Sequence, residues 1–237
     1  MKKLLTLLSL AILMIGTNGI ANAQFRQSIF LNGNIPTGDF NSKANSNTVP
    51  LTYTEVGKDA AVGFGLGYRI SYRFDVGVGE VAPFLNGDFM WNTIGGGWSD
   101  KYSDAYLNSP TYFNIPILAG VSYIYDELPW GDISAFGEFG VGTDLFWITS
   151  EGSKDLRYAY KSTFSFSWML GAGAYFGRHV SAGIYYYDMG KHNIDYTQKT
   201  LDNNIIAKGQ VIANEAMGMG RQRRSVGSFM LRIGFHF

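Results

Sequence analysis

The sequence predicts an all-β chain: a single-chain antiparallel transmembrane β-barrel of about eight strands. Three observations carry that expectation. Apolar and polar side chains alternate along eight successive segments, the links between them alternate between long and short, and the composition suits neither a soluble domain nor a helical membrane protein. Of 237 residues, 16% are charged and 16% aromatic, with 30 glycines. Soluble domains carry roughly 25% charged residues. No stretch of the mature chain is long and apolar enough to span a bilayer as a helix. The formal net charge of +0 argues against nucleic acid as a partner, because phosphate binding needs a basic surface. With no cysteine, neither a disulfide framework nor a thiolate site is available.

The chain opens on an expected processing signal, residues 1–23. Lys2 and Lys3 precede an apolar stretch over 4–15, and Ala21-Asn22-Ala23 forms a small-residue cleavage site. Cleavage after Ala23, directed by Ala21 and Ala23, leaves residues 24–237 as the barrel domain, starting at Gln24. The apolar run is too short for a spanning helix, and without cysteine there is no lipidation site.

Eight segments then show a period of two. In 25–35 the apolar set Phe25, Ile29, Leu31 and Ile35 opposes Arg26, Ser28, Asn32 and Asn34. In 62–72 it runs from Val62 and Phe64 to Tyr72, against glycines, Arg69 and Ser71. In 81–93, Leu85, Phe89 and Trp91 oppose Asn86, Asp88 and Asn92. In 113–125, Phe113, Ile115, Ile117, Val121 and Tyr123 oppose Asn114 and Ser122. In 133–147, Phe139, Val141, Leu145 and Trp147 oppose Ser134, Glu138 and Asp144. In 164–176, Phe164, Phe166, Trp168 and Leu170 oppose Ser165, Ser167 and glycines. The segment 180–188 is the weakest, with Val180, Ala182, Ile184 and Tyr186 on one face. In 225–237, Phe229, Leu231, Ile233, Phe235 and Phe237 oppose Met230, Arg232 and His236. One face suits lipid and the other a polar interior.

The links 37–61, 95–112, 149–163 and 190–224 are long, and 73–80, 126–132 and 177–179 are short. This alternation fits long external loops and short periplasmic turns. Trp91, Phe113, Trp147 and Phe164 fall near the external strand ends, and Tyr72, Tyr125, Phe176 and Phe237 near the periplasmic ends, as aromatic girdles require. Two features fit less well. Pro116 interrupts a strand, which suggests a bulge or register shift. The run 204–213 reads as a protruding hairpin around Lys208-Gly209, which leaves a ten-stranded barrel as the competing architecture.

These residues resemble a family. The final alternation Leu231, Ile233, Phe235, Phe237 is similar to the C-terminal signal by which the assembly machinery recognises bacterial outer-membrane barrels. Leu31-Asn32-Gly33-Asn34-Ile35-Pro36-Thr37-Gly38-Asp39-Phe40 resembles the Gly, Pro, Gly, Phe first strand and turn of small outer-membrane barrels. Phe113-Asn114-Ile115-Pro116-Ile117-Leu118-Ala119-Gly120 resembles a strand of the PorT-like group, and the whole looks like a PorT-like or OmpA/OmpX-type β-barrel domain. The resemblance implies an outer-membrane location, the assembly machinery as a partner, and outer-membrane lipid and lipopolysaccharide as surroundings.

The inward positions include Arg26, Arg69 and Arg232 with Asp88, Glu138 and Asp144. In a tube just wide enough for side chains to fill, these charges are expected to pair across the bore or to line a polar path. Arg221, Arg223 and Arg224 enter the last strand from outside, where arginine could bind lipopolysaccharide phosphates. Catalysis would have to use the three histidines. His179 lies beside Ser181, His192 near Asp188 and Asp195, and His236 in the bore. No clustered metal ligands and no cofactor motif are present. The expected function is non-enzymatic, either envelope-structural or loop-mediated surface binding by a monomer. The alternatives are narrow porin-like transport and lipid modification.

Overall fold

A computed structural model describes residues 25–42, 57–95, 110–126, 128–129, 131–152, 156–200, 205–210 and 223–237. The expected cleavage site at Ala21 and Ala23, and Arg221, lie outside these residues. Eight long strands form the barrel: β1 (Phe25–Thr37), β2 (Gly63–Tyr72), β4 (Glu80–Asn92), β5 (Tyr112–Tyr125), β6 (Ile133–Ile148), β9 (Thr163–Phe176), β10 (Val180–His192) and β13 (Arg224–His236). Each pairs antiparallel with its neighbours. The β1–β13 ladder joins the two ends of the chain, and β2–β4 pairing completes the circle. Closure leaves no open barrel edge, the condition for crossing a bilayer with strands. Eight barrel strands replace the ten-stranded alternative. No helix among the described residues is long and apolar enough to cross a membrane.

The stagger of the barrel follows from its registers. Directly opposed residues run from Arg26 through Ser71, Phe84, Gly120, Gly140, Met169, Tyr187 and Ser228, and return to β1 at Pro36, ten residues on. Eight strands with that shear tilt by about 40° around a Cα radius of about 8 Å. The outward faces keep the period of two: Leu31, Leu66, Ile117, Phe139, Leu170, Ile184 and Leu231 are all exposed. An apolar belt of this kind belongs in hydrocarbon. Along its external rim, Phe64, Trp91, Phe113 and Trp147 stand opposite one another on four successive strands, their centroids 4.8, 6.3 and 5.2 Å apart. The C-terminal alternation Leu231, Ile233, Phe235 and Phe237 lies on the same outer face.

Several local expectations change. Pro116 sits in an unbroken β5–β6 register opposite Asp144, so there is no bulge. The β4–β5 ladder instead lapses for two residues beside it, which accommodates the missing N–H. The weak segment 180–188 continues to His192, with a bulge between Asp188 and Lys191. Gly190 adopts φ +80 there, and a Cβ would lie 2.2 Å from Ser165 Oγ. Lys208-Gly209 is not a turn. It lies within β12 (Ile205–Gln210), which pairs with β11 (Asp195–Thr200). Together with β8 (Leu156–Tyr160) and β7 (Glu151–Gly152), these strands form a four-stranded sheet outside the barrel, in the order β12-β11-β8-β7. Two long external links thus fold together. A two-residue β3 (Phe74–Asp75) extends the β4 edge in a periplasmic turn.

Candidate functional site: the bore and its external cap

Inward side chains of the strands fill the tube in layers. At the external mouth, the 3-10 turn Gly38–Asn41 inserts Phe40, which is wholly buried against Tyr112 and Phe146 with ring centroids 5.3 and 5.9 Å away. The returning chain braces this cap. Ala60 N–H donates to the Phe40 carbonyl at 2.8 Å, and the Tyr112 hydroxyl donates to the Lys58 carbonyl at 2.9 Å.

Two charged bars cross the bore below the cap. Arg69 on β2 reaches Glu138 on β6, three strands around the wall, with Nη1 and Nη2 donating to its two oxygens at 2.7 and 2.6 Å. Its guanidinium lies 4.0 Å from the Phe84 ring centroid. Arg232 on β13 reaches Asp88 on β4, also three strands away, with Nη2 donating to Oδ1 at 2.8 Å. The Asp88 carboxylate also accepts from Asn32, Asn86 and the Tyr187 hydroxyl at 3.0, 2.5 and 2.8 Å. Arg232 Nε donates to Asn32 Oδ1 at 2.9 Å, and its guanidinium stacks on Phe30 and Tyr185. All four charges are almost fully buried, so each needs its partner to offset lost hydration.

The remaining predicted residues are placed differently. Arg26 is not in the bars. It lies at the periplasmic rim, half-buried, and donates to the Arg178 carbonyl at 3.3 Å, because it is the first inward position of β1. Among the described residues Asp144 forms no ion pair with an arginine. Its nearest titratable neighbour is His192, at 3.3 Å. The bulge before His192 turns that side chain inward, away from the expected neighbours Asp188 and Asp195. Its Nε2 donates to the Met189 carbonyl at 2.9 Å, and Nδ1 meets Thr163 Oγ1 at 2.8 Å. Arg224 is only 3% exposed and stands opposite His192 on an inward position of β13, so it does not face lipid headgroups. Arg223 is exposed, close to Lys191 on the outer wall. His179 does not engage Ser181. The Ser181 hydroxyl meets His236 Nε2 at 2.8 Å, Ser28 meets Nδ1 at 2.7 Å, and His179 turns to the His236 carbonyl. No carboxylate completes that chain among the described hydrogen bonds.

Tyr187, Asn32 and Asn86 join the charged bars and Phe40 plugs the mouth, roles that the sequence pattern does not assign to them. Parity alone marks the first three as inward. Phe40 closes the Gly, Pro, Gly, Phe stretch, but nothing local shows that its ring enters the bore.

The sequence matches no protein-family model and no curated protein. Solved structures do match. A major outer membrane protein from Thermus thermophilus aligns with a TM-score of 0.51 at 12% identity, covering 90% of this chain and 99% of that one. OprG from Pseudomonas aeruginosa aligns at 0.43 and 10% identity, covering 90% and 94%. Ail of Yersinia pestis aligns at 0.41 and 14% identity, covering 92% and 100%. The first of these carries the likeness, which is one of fold. The chain is an outer-membrane β-barrel. Its closed wall and apolar belt give the physical reason, since only a bilayer accepts that surface.

Proposed function

We propose that this integral outer-membrane protein is a non-enzymatic surface protein that binds a partner through its external sheet, with the barrel as a rigid pedestal. The observation that carries this reading is the joining of two long external links into one four-stranded sheet above a bore filled by side chains. Loops carry recognition where a rigid scaffold positions them. The two charged bars and the Phe40 cap place buried side chains across the axis at successive heights, which favours this role over permeation. His192 is buried against Phe146 and commits Nε2 to a backbone carbonyl, which favours it over lipid modification. On the motif at 113–120 we place the chain near the PorT-like and OmpA/OmpX-type barrels. We also assign Arg223, with Lys191 beside it, to contact with lipopolysaccharide phosphate, and the assembled barrel to a monomer.

Two measurements test the role. Refolded protein in planar bilayers is expected to give no steady conductance steps; steps abolished by changing Asp88 or Arg232 would favour transport instead. Replacing 195–210 with a short Gly-Ser turn should leave the barrel heat-modifiable on gels. It should also remove binding of protein-bearing vesicles to arrays of lipopolysaccharide, glycans and matrix proteins. Unchanged binding, or a lipid A mass change on expression that His192→Ala abolishes, would overturn the proposal.

A further inference from the structure

Between the Arg232–Asp88 bar and the Phe40 cap lies a ring of buried polar side chains that none of the contacts above explains. Asn114 on β5, Asp144 on β6 and Ser167 on β9 stand on three adjacent strands, and Asn34 on β1 faces them from the opposite wall. Asp144 lies two positions from Phe146, the ladder partner of Asn114. Ser167 lies two positions from Ser165, the ladder partner of Asp144. With the tilt of this barrel, all four fall within about 5 Å of one height.

All four are wholly buried, and none of their side-chain polar atoms has a hydrogen-bond partner: both atoms of each asparagine amide, both oxygens of Asp144, and Ser167 Oγ. Leaving one neutral buried polar group unpaired costs about 1–3 kcal/mol, and a charged one more. Seven such atoms on inward positions of one layer point to an occupant that is not part of the chain.

Charge narrows its chemistry. Arg69 and Arg232 are committed to Glu138 and Asp88. His192 gives its Nε2 hydrogen to the Met189 carbonyl and engages Thr163 through Nδ1, which leaves Asp144 only a 3.3 Å approach. The Ile115 amide also lies near the Asp144 carboxylate, outside hydrogen-bond geometry. A proton on Asp144 would need an acceptor, and neither Asn114 nor Ser167 is in hydrogen-bond reach. Both Asp144 oxygens therefore keep their lone pairs free for an occupant. The groups offered are a carboxylate, two amide carbonyls and a hydroxyl, all hard oxygen donors. No group of three or more His, Cys, Asp or Glu side chains is placed to hold a metal among the described residues, so the site lacks the repeated negative charge typical of divalent sites.

We propose that this ring binds one monovalent hard cation, sodium or potassium, against Asp144, with Asn114 and Ser167 beside it and water completing its shell toward Asn34. The ion sits against the Asp144 carboxylate and ties β5, β6 and β9 together beneath the external cap.

Thermal unfolding of the barrel, refolded in detergent, tests this in sodium, potassium or choline chloride at equal ionic strength. With salt well above the dissociation constant, Tm is expected to be roughly 3–5 °C higher in sodium or potassium than in choline. The protein should also broaden the sodium NMR line. Asp144→Asn, which preserves shape and polarity, should remove both effects, whereas Asp188→Asn should leave them. If Asp144→Asn does not refold, Ser167→Ala serves in its place and should weaken both. Equal Tm in all three salts without line broadening, or a cation response untouched by these ring variants, would overturn the proposal.

Discussion

Replacing Arg232 with methionine is expected to destabilise the barrel by about 3–5 kcal/mol, the typical cost of leaving a buried charge without its partner. The side chain is only 2% exposed, and Asp88 has no other cation within ion-pair distance among the described residues. Asn32, Asn86 and Tyr187 would still donate to the carboxylate, which limits the loss without neutralising the charge. The double variant Arg232→Met with Asp88→Asn should recover most of that stability, because a neutral, similarly sized pair removes the desolvation cost of both ions. Urea unfolding of the refolded protein, followed by tryptophan fluorescence, measures both. A single variant losing less than about 1 kcal/mol would mean that the bar is solvated like a surface pair. The double variant separates the charge effect from lost packing against Phe30 and Tyr185. If packing dominates, the second substitution restores nothing.

The wall of this barrel is legible in the sequence because the bilayer imposes a simple rule on each strand. Leu231, Ile233, Phe235 and Phe237 must face outward together, and Met230, Arg232 and His236 inward, whatever lies next to them. Pairing inside the tube obeys no such local rule. Arg69 and Glu138 are three strands apart around the wall and meet because the ten-residue shear brings them to nearly the same height. That shear becomes readable only once every register is known. Sign of charge groups Asp144 with the arginines, yet it lies well above both bars, where His192 is the nearest titratable neighbour. His192 is equally hard to assign, since the bulge at Asp188–Lys191 reverses the side-chain alternation and only the conformation of Gly190 betrays it. Arg224 is a different case. Extending the inward parity of Met230 and Ser228 back along β13 reaches it directly, but its place in a basic run makes it look like a loop residue. The external sheet escapes for a further reason: β8 and β11 come from separate links, and pairing between them leaves no trace in either segment alone.

Introducing arginine at Leu31 is expected to destabilise the barrel by about 2–4 kcal/mol in liposomes, whereas Val62→Arg should cost at most about 1 kcal/mol. Both side chains are already exposed, Leu31 at 51% and Val62 at 68%. Neither substitution opens a cavity or breaks a hydrogen bond, so in a water-soluble barrel both would fall within about 0.5 kcal/mol of neutral. What separates them is depth. Leu31 lies at the centre of β1, flanked across the ladders by Ile233 and Leu66, so a guanidinium there must either lose its hydration or draw water into the acyl chains. Val62 precedes the external end of β2, next in line to the aromatic rim that begins at Phe64, where an arginine can reach headgroups and water. Denaturant unfolding from liposomes gives the two costs directly. Equal and small values would mean that the outer face meets water at every height, and the reading of the belt as a lipid contact would fail. A steep difference between identical substitutions on the same wall has one physical source, a medium whose capacity to solvate charge changes along the barrel axis.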